Sequence, residues 1–266
     1  MPTNTDLDIY VVSLQGDHAR RAAMRARFGE AWGRMQVVDA VDLRSDDAAG
    51  PATLPAPGRR ARRHPMTRAE TGCALSHMQV MERFLRGDAG CCLVLEDDAE
   101  GRAADVARVS TIMQALPADA IVVLGGQQGL RNRRYLYGMQ VAEGLWRIPP
   151  ACRRFMARTC CYALTRAAAR IVLSRQRYRL ERADQWNVLL RGHRHVYFAD
   201  VFRHPEDMAA SRIEAARHAT RGGALSRIGQ DGVFYTLGSA LLKAALPVLG
   251  PLLDCQRIPQ GDAGEI

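Results

Sequence analysis

The chain has 266 residues, 47% hydrophobic and 24% charged, with a formal net charge of +9, enough for one large globular domain or two small ones. Lys243 is the only lysine among 37 basic residues, which excludes a phosphate-loop lysine and disfavours Schiff-base chemistry, leaving arginine, backbone N–H groups or a metal to hold any phosphate. Seven cysteines without a CxxC pair argue against a zinc knuckle and point to reduced thiols in a cytoplasmic protein, with neither a signal peptide nor an uncharged membrane-spanning run expected.

Ile9–Leu14 predicts a first strand, and Asp17 a cap for a helix from His18 to Trp32. Arg20 and Arg21 fall in that helix's first turn, where cations oppose the helix dipole, so they face either an anionic ligand or solvent. The turn before it lacks GxGxxG, which argues against a dinucleotide fold. Met35–Val38 predicts a second strand, closing on Asp39. The proline-rich residues 43–65 carry the run RRARRH and predict a mobile basic surface loop. Thr67 and Glu70 fit a capping box. The helix they open runs to about Leu85 and places Glu70, Cys73, Ala74 and His77 on one face, with Ser76 at its flank.

Cys91–Leu95 predicts a buried strand running into Glu96, Asp97 and Asp98. A helix follows from Ala103 to Leu116, then a strand over Ala120–Leu124 ending in Gly125-Gly126. That glycine pair permits either close approach of a ligand or a tight turn. Residues 127–158 read as irregular and arginine-rich. Thr159–Leu164 predicts another strand, Thr165 the cap of a helix to Arg175, and Arg182–Leu190 a short helix carrying Asp184. His195–Ala199 predicts a further strand leading to His204-Pro205, where proline keeps the preceding backbone extended. Residues 206–218 read as a polar helix. Gly232–Leu253 is strongly apolar but broken by Lys243, Pro247 and Pro251; it packs on the domain or lies at a membrane surface. The expected organisation is a domain over 1–220 and an apolar tail over 221–266.

Alternating strands and helices predict an α/β fold with a functional edge where the strands end. Three adjacent carboxylates at such an edge repel one another, and a divalent cation with oxygen ligands would relieve them. Carboxylates, arginines and a histidine without a phosphate-loop lysine suit sugar transfer from a nucleotide diphosphate: a metal neutralises the leaving pyrophosphate and a separate carboxylate deprotonates the acceptor hydroxyl. An aromatic share of 6%, with no aromatic–basic interleaving, makes nucleic acid a poor partner. Ser76 and His77, adjacent on a helix, make a poor nucleophile–base pair.

The order of motifs resembles glycosyltransferase family 25, the lipopolysaccharide and lipooligosaccharide glycosyltransferases related to collagen galactosyltransferases. IYVVSLQGDHARR is similar to the family's opening strand and double arginine, MTRAETGCALSH to its LTxGExGCxxSH block, LVLEDDA to its EDD strand, TCCYALTRAAA to its GxAYxxS segment, and RHPEDMAASRI to its closing HP…S.I. The resemblance implies a GT-A-like fold, a single Rossmann-like mixed sheet flanked by helices. It also implies a UDP-sugar donor, most often UDP-galactose, Mn²⁺ or a similar divalent metal, inversion at the anomeric carbon, and a glycan or glycolipid acceptor. Independently of the resemblance, a basic body and an apolar C-terminal tail suit peripheral contact with an anionic membrane at its cytoplasmic face. Carried onto this sequence, the resemblance makes Asp98, Glu96 and His204 metal-ligand candidates, with Glu96 or Asp97 near the ribose. Ser13, Leu14, Arg21 and Asp39 would form the nucleotide pocket, Ser76 and His77 would support it, and Asp184 would be the base with Glu70 as competitor.

Overall fold

The computed structural model describes residues 6–44, 66–205 and 233–259. The basic run in 59–64 and the polar helix expected over 206–218 lie outside the described residues. The strands are β1 (Leu7–Ser13), β2 (Met35–Asp39), β3 (Cys91–Glu96), β4 (Ile121–Gly125), β5 (Tyr137–Ala142), β6 (Leu145–Arg147), β7 (Cys161–Thr165), β8 (Val196–Phe202) and β9 (Gln256–Arg257). They form one sheet in the order β2-β1-β3-β7-β4-β8-β6-β5-β9. β1 pairs parallel with β2 and β3, and β4 with β8; β7 runs antiparallel between β3 and β4.

The helices are α1 (His18–Phe28), α2 (Arg68–Arg86), α3 (Ala103–Gln114), α4 (Arg166–Tyr178), α5 (Trp186–Leu189) and α6 (Val233–Leu252). The near-continuous apolar strands serve two cores, as expected for strands buried on both faces. Tyr10, Val12, Cys92, Val94, Ile121 and Val123 pack towards α2, α4 and α5. Ile9, Val11, Leu93, Leu95, Val122 and Leu124 alternate with them and pack towards α1 and α3. This is the single mixed sheet flanked by helices that the sequence predicts.

Several local expectations need correction. α1 stops at Phe28, because Gly29 takes φ 53 and a 3₁₀ turn over Gly29–Arg34 follows. The Asp17 side chain makes no capping hydrogen bond to α1. Asp184 is not helical; α5 begins only at Trp186. Residues 127–158 are not irregular throughout: β5 and β6 form a hairpin around Glu143-Gly144, with Gly144 at φ 65.

Gly125 and Gly126 are needed for packing against the fold itself. A Cβ on Gly125 (φ 110) would meet the Phe202 carbonyl oxygen at 2.2 Å, and one on Gly126 (φ 69) would meet Cys160 Sγ at 2.0 Å. Gly72 does the same for α2, where a Cβ would stand 2.3 Å from the Val41 carbonyl oxygen. One turn on, the Ser76 hydroxyl donates to Gly72 O (2.7 Å) and accepts from Val41 N–H (2.8 Å).

Many arginines are spent on backbone carbonyls. Arg166 reaches Phe84, Leu85, Gly87 and Ala89 oxygens, capping the end of α2. Arg153 donates to the carbonyls of Ile148, Leu190 and His193, and Arg175 to those of Leu189 and Arg191. The planar guanidinium, with five donors in a fixed fork, is suited to such multiple contacts.

α6 packs on the domain through Leu246, next to buried Cys255 and Ile258, and β9 joins the sheet beside β5. No helix among the described residues is long and apolar enough to cross a membrane.

Candidate active site

The carboxyl ends of β1 and β3, the amino end of β7, the inner face of α2 and the segments at 182–184 and His204 meet at a cleft of about 210 Å³. Parallel strands deliver their ends to one edge, and antiparallel β7 contributes its beginning there. Of the predicted site residues, Ser13, Leu14, Glu70, Ser76, His77, Glu96, Asp97, Asp98, Asp184 and His204 all line this cleft. Arg21 and Asp39 stand beside it: Arg21 donates to Asp39 (2.6 Å), to Ser13 Oγ and to the Ser13 and Leu14 carbonyls, fixing the end of β1.

The three acidic residues each have a different partner. Glu96 meets His77, Asp97 takes the Arg20 guanidinium at 2.8 Å, and Asp98 faces His204, with Arg20 at 3.6 Å. Arg20 therefore turns to carboxylates of its own chain, an outcome neither sequence alternative contained. The strand ends at Glu96, and the turn that follows breaks the period of two, so Asp97 reaches the cleft with its neighbours. Burial raises the Asp97 carboxyl above its ordinary pKa, against the pull of Arg20 and Ser13. Burial would also raise Asp98, but the hydrogen bond and charge of His204, with Arg20 and Arg158, hold it below the ordinary value.

His204 and Asp98 fit a divalent cation. His204 Nδ1–H donates to the Pro205 carbonyl at 2.7 Å, and Nε2 faces Asp98 Oδ2, 3.5 Å away. Asp98 Oδ1 is buried with no hydrogen-bond partner. An imidazole nitrogen facing a carboxylate beside an unsatisfied carboxylate oxygen is satisfied by a proton or by a cation between them.

Glu96 is held differently. The buried Tyr162 hydroxyl, its pKa pushed well up by burial, stays protonated and donates to His77 Nδ1 at 2.9 Å. His77 Nε2–H then donates to Glu96 Oε1 (3.1 Å), which also accepts from the Thr159 hydroxyl (2.5 Å). Cys73, His77 and Glu96 present ligand atoms within 4.8 Å of one another. They would form a metal site only if His77 surrendered its Nε2 proton, so the hydrogen-bonded string is the simpler state.

Glu70 completes the expected capping box: Oε2 accepts from Thr67 N–H (3.0 Å), while Oε1 lies 3.6 Å from Arg182. Asp184 is half-buried and accepts from Arg158 N–H at 3.4 Å. Sequence reasoning missed Arg158. It stands at φ 65, reaches the Gly126 and Gln128 carbonyls at 2.8 Å, and lines the cleft beside Thr159. Its position just before β7 was the only available signal, lost among neighbouring arginines.

Fold and site together define an α/β protein with a carboxylate- and histidine-lined cleft at its strand edge. Residues 6–126 match the family model described as glycosyltransferase family 25 (LPS biosynthesis protein), so the resemblance read from the sequence holds over that part of the chain and supports a glycosyltransferase. No curated protein matches. Similar solved structures include mannose-1-phosphate geranyltransferase from Thermus thermophilus (13% identity, covering 79% of each chain, TM-score 0.44). Another is a glycosyltransferase involved in glycosylation of the major capsid of PBCV-1 (11% identity, 80% of this chain and 97% of that one, TM-score 0.40). A third is the galactosyltransferase LgtC in complex with donor and acceptor sugar analogs (12% identity, 83% and 88%, TM-score 0.35).

Proposed function

We propose that the cleft binds a nucleotide-sugar, UDP-galactose in the first instance, and transfers its sugar with inversion to a hydroxyl of a glycan or glycolipid acceptor. The observation that carries this reading is the Asp98–His204 pair, with His204 Nε2 3.5 Å from Asp98 Oδ2 and Asp98 Oδ1 buried without a hydrogen-bond partner. Asp98 and His204, with Glu96 nearby, would hold Mn²⁺ or a similar ion. Such an ion supplies charge neutralisation for a leaving diphosphate. Ser13 and Leu14 line the donor side, with Arg21 and Asp39 bracing that strand end. Arg158 adds positive charge to the same cleft.

Asp184 is the proposed base. Glu70 commits one oxygen to the α2 cap and holds the other near Arg182, whereas Asp184 is half-buried in the cleft wall. A carboxylate there takes the acceptor proton as the hydroxyl attacks the anomeric carbon and the nucleotide leaves from the opposite face. Ser76 and His77 support the site through Val41 and Glu96. The test is a thermal-shift screen of nucleotide-sugars with and without Mn²⁺, followed by transfer assays. UDP-galactose should raise the unfolding temperature only with the metal, and Asp184→Asn should keep that shift while losing transfer. Transfer that persists in chelator, or near-normal transfer by Asp184→Asn, would overturn the respective assignment.

A further inference from the structure

Cys73 and His77 stand one helical turn apart on the inner face of α2, the end of β3 brings Glu96 against them, and all three line the cleft. Their ligand atoms lie within 4.8 Å of one another. Zinc, with bonds of about 2.0–2.3 Å, holds the atoms of a tetrahedral set roughly 3.5 Å apart, so side-chain rotation of about 1 Å closes the three round an ion. Cys73 is also the accessible thiol of the chain: it is half-buried, whereas the other cysteines are all buried.

The residues behind these three can support a bound ion. The Thr159 hydroxyl donates to Glu96 Oε1 and fixes that carboxylate. The buried Tyr162 hydroxyl holds His77 Nδ1 at 2.9 Å. A hydroxyl both donates and accepts. With the imidazole proton on Nδ1 instead of Nε2, Tyr162 accepts from the ring, and the Nε2 lone pair is freed beside Glu96. The ring keeps one proton through this exchange, while Cys73 binds as the thiolate and its proton passes to water in the cleft. A thiolate, an imidazole and a carboxylate together suit zinc, whereas manganese favours oxygen ligands. We propose that Cys73, His77 and Glu96 form a zinc site in the cleft wall, adjoining the Asp98–His204 pair but differing from it in metal preference. The fourth position faces the cleft and is open to water. The proposal stands without the sugar-transfer reading, and its test uses no sugar.

The test is titration of the reduced, metal-free full chain with Co²⁺, a zinc substitute whose spectrum reports its ligands, followed by displacement with Zn²⁺. The wild type should show a saturable near-ultraviolet band from thiolate-to-cobalt charge transfer, with the strong visible absorption of a four-coordinate ion, and Zn²⁺ should abolish both. C73S should lose the charge-transfer band and bind zinc roughly 100-fold more weakly, and H77Q should weaken zinc to a similar degree. Y162F keeps every ligand and should weaken zinc about tenfold through the lost partner of Nδ1. D98N should keep the band, because that carboxylate belongs to the neighbouring pair. Urea midpoints without metal check that each variant folds. The wild-type spectrum alone can overturn the proposal, by lacking the thiolate band or by showing a weakly absorbing six-coordinate ion. A band that survives in C73S, or zinc affinity indifferent to H77Q, would overturn it as well.

Discussion

Arg20 and Arg153 carry the same guanidinium into two different surroundings. At the cleft, Arg20 is part-exposed and faces the carboxylates of Asp97 and Asp98. Near α5, Arg153 is 2% exposed and donates to the carbonyl oxygens of Ile148, Leu190 and His193. Burial, with the charge of Arg175 adding, lowers its pKa to about 10. The first arrangement keeps charge close to a space a ligand can enter. The second uses charge to gather the turns around α5 and the start of β8. A net charge of +9 is therefore no measure of affinity for anions, because several of the arginines serve the backbone.

Substitutions should separate these two uses. The largest effect is expected from Asp98→Asn: sugar transfer should fall about 10³-fold, equivalent to about 4 kcal/mol, while the urea midpoint stays close to wild type. A large loss of stability instead would move Asp98 into the structural class. Next comes Arg153→Met, which takes the guanidinium away from three buried carbonyls, of which Leu190 O keeps the His193 N–H, and should cost about 3 kcal/mol in urea unfolding. Its transfer rate per folded molecule should be unchanged. Arg166→Lys should cost about 1–2 kcal/mol, since one ammonium cannot reproduce a fork that touches four carbonyls. The smallest effect concerns pH. Burial lowers the His193 pKa, against a bond from Nε2–H to the Asp119 carbonyl, with Arg153 reinforcing the shift. A histidine with a lowered folded pKa contributes stability that is present above its unfolded value of about 6.5 and lost as pH falls through the folded value. His193→Gln should flatten that part of the stability–pH curve without altering the transfer profile's shape.

What could be read from the sequence follows the range of the interactions. β1, β3 and β4 were legible because each is a short, nearly uninterrupted apolar run, and the Thr67–Glu70 cap because its two halves lie three residues apart. The β5–β6 hairpin was hidden because β5 is half exposed and carries no continuous apolar run, and β6 has only three residues. The placement of β7 between β3 and β4 depends on pairings distant in sequence. The cleft's members were largely legible as residue types at strand ends. Their partners were not: Arg20 meets Asp97 across 77 positions, and Thr159 meets Glu96 across 63. Local pattern places a carboxylate at an edge, but only the folded sheet decides what neutralises it.

The contact between Gly72, Ser76 and Val41 sets a boundary for divergence. It pins the chain just before residues 45–65, and Arg68 adds a bond to the Leu43 carbonyl where the chain returns to α2. Val41 and Leu43 line the cleft, so a side chain added at Gly72 would displace that wall and the helix carrying His77 together, and change at Gly72 and Val41 is coupled.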